Sequence, residues 1–140
     1  MLNDIISGIC EAIAAEFGPG YKVYKTTVNQ GLERPCLVVD FVDQREEHFP
    51  SKRQRRFNMF SVRYVPRNVP DAKLECYDAQ DRLYDALEYI MTAGGLMRGN
   101  EIHGQMVDGE LMFTVNYDYN VRHVEEAPIM ETLEIVTDAS

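Results

Sequence analysis

No stretch of this 140-residue chain comes near the ~20 consecutive apolar residues a membrane-spanning helix needs, so no such span is expected. Cysteine is scarce. Cys10, Cys36 and Cys76 are odd in number, widely spaced and free of any CxxC, so neither a zinc site nor a disulfide framework is expected. Buried or half-buried thiols in a reducing, intracellular setting fit that usage. The opening residues Met1-Leu2-Asn3-Asp4-Ile5-Ile6 lack a basic segment and carry an acid, so a secretory signal is not expected either. His48, His103 and His123 stand alone, without a second ligand at metal-binding spacing. GxxxxGK[ST], GxGxxG, GxSxG and HExxH are all missing. Cys76 and His103 could in principle form a nucleophile pair, but Cys76 falls on an apolar helix stripe, where packing is the better account. The expectation is a chain with no catalytic site, no metal site and no cofactor.

What is present is enough apolar residue, 45%, for one domain with a real core. The most informative segment is its last strand. Residues 106–111 include Asp108-Gly109, two residues that tolerate positive φ, as a two-residue type I′ hairpin turn requires. After it, Leu111, Phe113, Val115, Tyr117, Tyr119 and Val121 alternate with Met112, Thr114, Asn116, Asp118, Asn120 and Arg122. About 14 residues at ~3.4 Å each run to ~48 Å. A compact domain of this length is only ~37 Å across, so the strand is expected to bend or to overhang, and an overhanging strand invites a neighbour.

The remaining periodicities predict a helix over residues 2–17, ended by Gly18-Pro19-Gly20, and a strand over 21–28. A very apolar and therefore central strand follows at 36–42, then a charged loop at 43–54 and an alternating strand at 55–65. A second helix is expected from Asp71 to Met91, buried through Cys76, Ala79, Leu83, Ala86, Leu87 and Ile90 and stopped by Gly94-Gly95. Residues 101–107 pair with the last strand. The expected class is α+β: a mainly antiparallel sheet of about five strands with two helices on one face, in the order α-β-β-β-α-β-β. Residues 1–124 form the domain. Residues 125–140 are an acidic tail expected to order on assembly, with Ile129, Leu133 and Ile135 as its candidate subunit contacts.

Charge is uneven. The net value is −9, yet the window 45–67 sets seven basic residues against Glu46 and Glu47, a local +5. The rest, with seven basic and 21 acidic residues, carries −14. A basic protrusion on an acidic body suits head-to-tail docking of copies. Lys52, Arg53, Arg55 and Arg56, with Tyr119 and Arg122 of the last strand, are the candidate contacts to another subunit or a tube. The acidic face of the second helix, through Glu75, Asp78 and Asp85, is a solvated surface, one that repels or guides a polyanion, or one that meets a basic partner. A basic run alone is weak grounds for nucleic-acid binding in so acidic a chain.

Several segments together resemble one family. These are Asn3-Asp4-Ile5-Ile6; Gln30-Gly31-Leu32-Glu33-Arg34-Pro35-Cys36; Met97-Arg98-Gly99-Asn100; and Val107-Asp108-Gly109-Glu110-Leu111 with Val115-Asn116-Tyr117-Asp118. The chain is similar over nearly its whole length to the tail terminators of contractile-tailed phages, prophages and phage-tail-like particles of Firmicutes. The resemblance implies a small α/β protein that forms a six-membered ring on the finished tail tube, inside a host bacterial cytoplasm. It also implies that the ring stops polymerisation, caps the sheath and offers a surface to neck or head-completion proteins. Its partners would be copies of itself, tube protein, sheath protein and neck protein, with DNA only passing through the lumen and no membrane. Another head–tail joining or neck protein, and a small nucleic-acid-binding regulator, are the alternative readings.

Overall fold

A computed structural model describes residues 1–25 and 31–122. Helix α1, Leu2–Phe17, turns Ile5, Ile9, Ile13 and Phe17 inward at helical spacing and ends at Gly18, whose φ of 83° suits a residue without a Cβ. Strand β1 is Lys22–Tyr24, β2 is Cys36–Phe49 and β3 is Arg53–Val65. Helix α2, Ala72–Leu87, buries Cys76, Ala79, Leu83, Ala86 and Leu87. Strands β4 (Tyr89–Thr92), β5 (Gly95–Val107) and β6 (Glu110–Arg122) complete a single sheet in the order β1-β2-β3-β6-β5-β4.

The α+β class and the element order agree with the sequence reading, with three corrections. The sheet is mixed, because β1 runs parallel to β2 while the other neighbours are antiparallel. It has six strands, because α2 stops at Leu87 and Tyr89–Thr92 pairs with β5 instead of continuing the helix. The central strands are β3 and β6, not β2, which has only the three-residue β1 outside it.

The charged segment expected as a loop is strand. β2 and β3 continue past the body as a hairpin in which Glu46 faces Arg56 and Glu47 faces Arg55, and opposite charges on facing positions favour pairing. The hairpin turns through Pro50, Ser51 and Lys52, with Ser51 and Lys52 at φ 71° and 58°. The long β6 runs beside it, so residues 43–49, 53–59 and 116–122 form a three-stranded arm. Both helices hold 16 residues, ~24 Å, whereas the 13 residues of β3 extend ~44 Å, so strands outrun helices.

Two β-bulges mark the arm's root. Val42 is the extra residue of β2 opposite Met59 and Phe60, and Glu101 with Ile102 crowd β5 opposite Val115. Phe60 pairs Val115 and Met59 pairs Asn116, so both bulges sit at one level across the sheet. Bulges bend and twist the strands that carry them. At the other end, Val107 pairs Glu110 across Asp108 (φ 50°) and Gly109 (φ 80°), the expected two-residue turn.

The core lies between the helices and one sheet face. Phe60, Val62 and Tyr64 of β3 and Leu111, Phe113, Val115 and Tyr117 of β6 meet Ile5, Ile9 and Ile13 of α1 and Leu83 and Leu87 of α2.

Candidate assembly surfaces

The arm is held together by its own charges. Arg56 donates to Glu46 at 2.9 Å, and Arg55 donates to Asp118 at 2.7 Å and to Asn120 at 2.5 Å. Arg45 pairs with Glu47 and lies 4.0 Å over the Phe57 ring. A ladder of amides crosses the same strands. Gln44 donates to Asn58 at 2.7 Å, Asn58 to the Tyr117 carbonyl at 3.0 Å, and Asn116 to Asn100 at 2.8 Å. Farther down the sheet, Arg63 meets Glu110 at 3.3 Å and Arg67 meets Glu75 at 2.8 Å. At least five of the window's seven cations are paired within the chain; Glu46 and Glu47 are already counted in its local +5, and Asp118, Glu110 and Glu75 reduce that to about +2. The window's positive balance is thus reduced, not erased, by acids of β6 and α2 that lie outside it in sequence.

Each candidate residue has a definite place. Lys52 lies in the turn at the arm's tip and Arg53 beside it, both exposed. Arg55 and Arg56 stand on the arm in the pairs just described. Tyr119 is 3% exposed, so its ring belongs to the interior and is not the open contact expected of it. Arg122 ends β6 opposite Arg53 in register. Ile129, Leu133 and Ile135, with the rest of the acidic tail, lie outside the described residues.

The acidic helix face divides. Burial pushes the Glu75 carboxyl up, but the side-chain and backbone hydrogen bonds from Arg67 and the hydroxyl of Tyr64 outweigh it and hold the group below its ordinary value. Glu75, with its side chain 14% exposed, is thus a latch between α2 and the end of β3 rather than part of an open wall. Asp78, Asp81 and Asp85 remain exposed.

Among those acids stand three residues outside the apolar stripe: Leu74, Tyr77 and Tyr84 are large, apolar and exposed on α2. Their spacing of three and seven places them together, away from the Cys76–Leu83 stripe, and that spacing was readable. Beside Leu74 a groove of about 580 Å³ opens between the first turns of α2, the chain after α1 and the start of β2. Tyr21 and Pro35 line it with Leu74, together with Asp71, Asp78 and the Arg67–Glu75 pair.

Cys76 and His103 do not meet. Cys76 is packed in the core, whereas His103 is exposed and pairs in register with Thr114, on the sheet face away from α2. Among the described residues no three His, Cys, Asp or Glu side chains cluster to hold a metal, and no helix is long and apolar enough to cross a membrane.

A family model described as phage tail terminator protein matches residues 4–129. No curated protein matches the chain.

Proposed function

The chain belongs to the phage tail terminator family, and on that premise we propose that it assembles into a ring on the end of the finished tail tube. Its role is structural and in the phage tail. In our reading the ring stops further addition of tube protein, caps the sheath where the tail is contractile, and presents a surface to neck or head-completion proteins. Six copies, matching a six-fold tube, is the stoichiometry we propose.

The observation that carries the reading is the arm. A three-stranded extension running beyond the helices has little to stabilise in an isolated chain, and it carries exposed Phe49 at its end. Such a projection supports contact with a neighbour, and a contact between unlike surfaces of identical chains propagates into a ring when its rotation closes. A ring of acidic subunits gives its lumen few cations with which to hold DNA phosphate, and exposed Asp85 is our candidate for that wall. The pairing of Arg45, Arg55, Arg56, Arg63 and Arg67 within the chain speaks against the regulator reading, which needs those cations for phosphate.

Native mass by light scattering, with negative-stain images of the same fractions in the presence of tube ends, tests the proposal. Closed rings, free or on tubes, are expected. A mass of 16.1 kDa at every concentration together with bare tube ends would overturn it.

A further inference from the structure

We propose that the groove beside Leu74 seats the arm tip, Phe49 to Arg53, of a second copy of this chain. The inference rests on the self-assembly in the proposed function and names the surfaces that carry it.

The two surfaces match in chemistry. The groove is lined by apolar Tyr21, Pro35 and Leu74 and by charged side chains, of which Arg67 is paired with Glu75 while Asp71 and Asp78 leave it acidic on balance. Leu74 is 62% exposed, so most of its side chain is left to water by its own chain. The arm tip is apolar and basic: Phe49 is 44% exposed and is followed by Pro50, with Lys52 and Arg53 alongside. Phe49 supplies area to bury, whereas exposed ion pairs add little affinity and chiefly set register and encounter rate.

The two surfaces also lie where only a second molecule can join them. Pro35 of the groove immediately precedes β2, and Phe49 of the tip is the last residue of β2. β3 begins at Arg53 in the tip and ends at Val65, next to the groove. The same two strands thus separate tip from groove by 14 residues, ~46 Å. No chain can place its own tip in its own groove. Unlike surfaces at opposite ends of one molecule produce a head-to-tail contact, the kind that closes rings.

The tip is presented ready-made. Ser51 and Lys52 hold a tight turn at positive φ, and the Glu46–Arg56 and Arg55–Asp118 pairs brace the strands behind it. A preformed projection loses little freedom on docking.

The test is disulfide capture in the full chain with Cys10, the only half-buried thiol, replaced by Ser. With tail tubes present, the double variant Ser51→Cys/Gly20→Cys, which keeps Phe49 and Leu74, is expected to give a ladder of dimers, trimers and larger species under mild oxidation, while each single variant gives no ladder. Asp78→Arg is expected to cut the ladder at least fivefold, and adding Arg53→Glu to the same chain to restore it. A double variant that behaves like the single ones, or a ladder indifferent to both charge reversals, would overturn the contact. Capping of tail tubes by the unmodified chain is scored separately. Capping without a ladder rejects this contact and spares the proposed function; a ladder without capping rejects the proposed function and spares the contact.

Discussion

The Tyr117 hydroxyl donates to the Leu87 carbonyl at 2.5 Å, deep between β6 and the last turn of α2. A helix leaves its final carbonyls without intrahelical partners. Here Tyr117 satisfies that of Leu87, and the Gly99 N–H satisfies that of Glu88 at 2.7 Å. The sheet thus terminates the helix from outside. Burial also pushes the Tyr117 phenol up, so it keeps its proton and remains a donor.

Tyr117→Phe removes that donor and leaves a buried carbonyl unpaired. The variant is expected to lose about 1–3 kcal/mol in urea unfolding, with an unchanged m-value. No loss would mean that the Leu87 carbonyl finds another donor.

Gly99 lies where no side chain fits. A Cβ there would stand 2.7 Å from the Leu87 carbonyl oxygen and 2.8 Å from a Val115 methyl, and the first of these is backbone. Gly99→Ala is expected to cost about 1–3 kcal/mol by the overpacking it forces. Gly20→Ala, with open space around it, is expected to stay within about 0.5 kcal/mol. Thermal unfolding of the two variants side by side checks the contrast.

Glu75→Ala strips the acceptor from Tyr64, whose hydroxyl sits on a side chain only 1% exposed. At pH 7 the expected loss is about 1–3 kcal/mol. The folded-state pKa of Glu75 lies below its ordinary 4.5, so its contribution is fully present above that pH and fades as pH falls through the folded value. The stability gap between the two proteins is therefore expected to be flat from pH 7 to 5 and to shrink below 4.5. A gap that widens in acid would contradict the sign.

Burial raises the pKa of all three thiols, foremost among the causes at Cys10, Cys36 and Cys76 alike. In the native chain at pH 8, a thiol reagent is expected to modify half-buried Cys10 slowly and to reach Cys36 and Cys76 only after denaturation. Rapid modification of all three would show an open core.

Where local pattern and burial agree, the sequence was readable. The α1 stripe from Ile5 to Phe17, the alternation of β6 and the Asp108-Gly109 turn all stand as expected, because each is decided within a few residues. The end of α2 was not, since Ile90 falls at helical spacing from Leu83 and Ala86. Four alternating residues of β4 are a weaker signal than that stripe, and the deciding partners, Tyr117 and Gly99, lie elsewhere in the chain. The arm escapes local pattern for a related reason: charge and Phe49-Pro50 resemble a loop, and the pairing of Glu46 opposite Arg56 is what makes the segment strand. The acids that further neutralise the basic window, Glu75, Glu110 and Asp118, lie outside it in sequence. The groove combines Tyr21, Pro35 and Leu74 from three separate segments, and nothing local announces such a surface.

Tube growth is the most direct test of the account. Tail tubes polymerising from their own tube protein are imaged with and without this chain, and their lengths and ends are scored. The account predicts that added protein stops elongation and leaves a ring-shaped cap at one end of each tube. Tubes that keep growing at an unchanged rate, with bare ends, would contradict it.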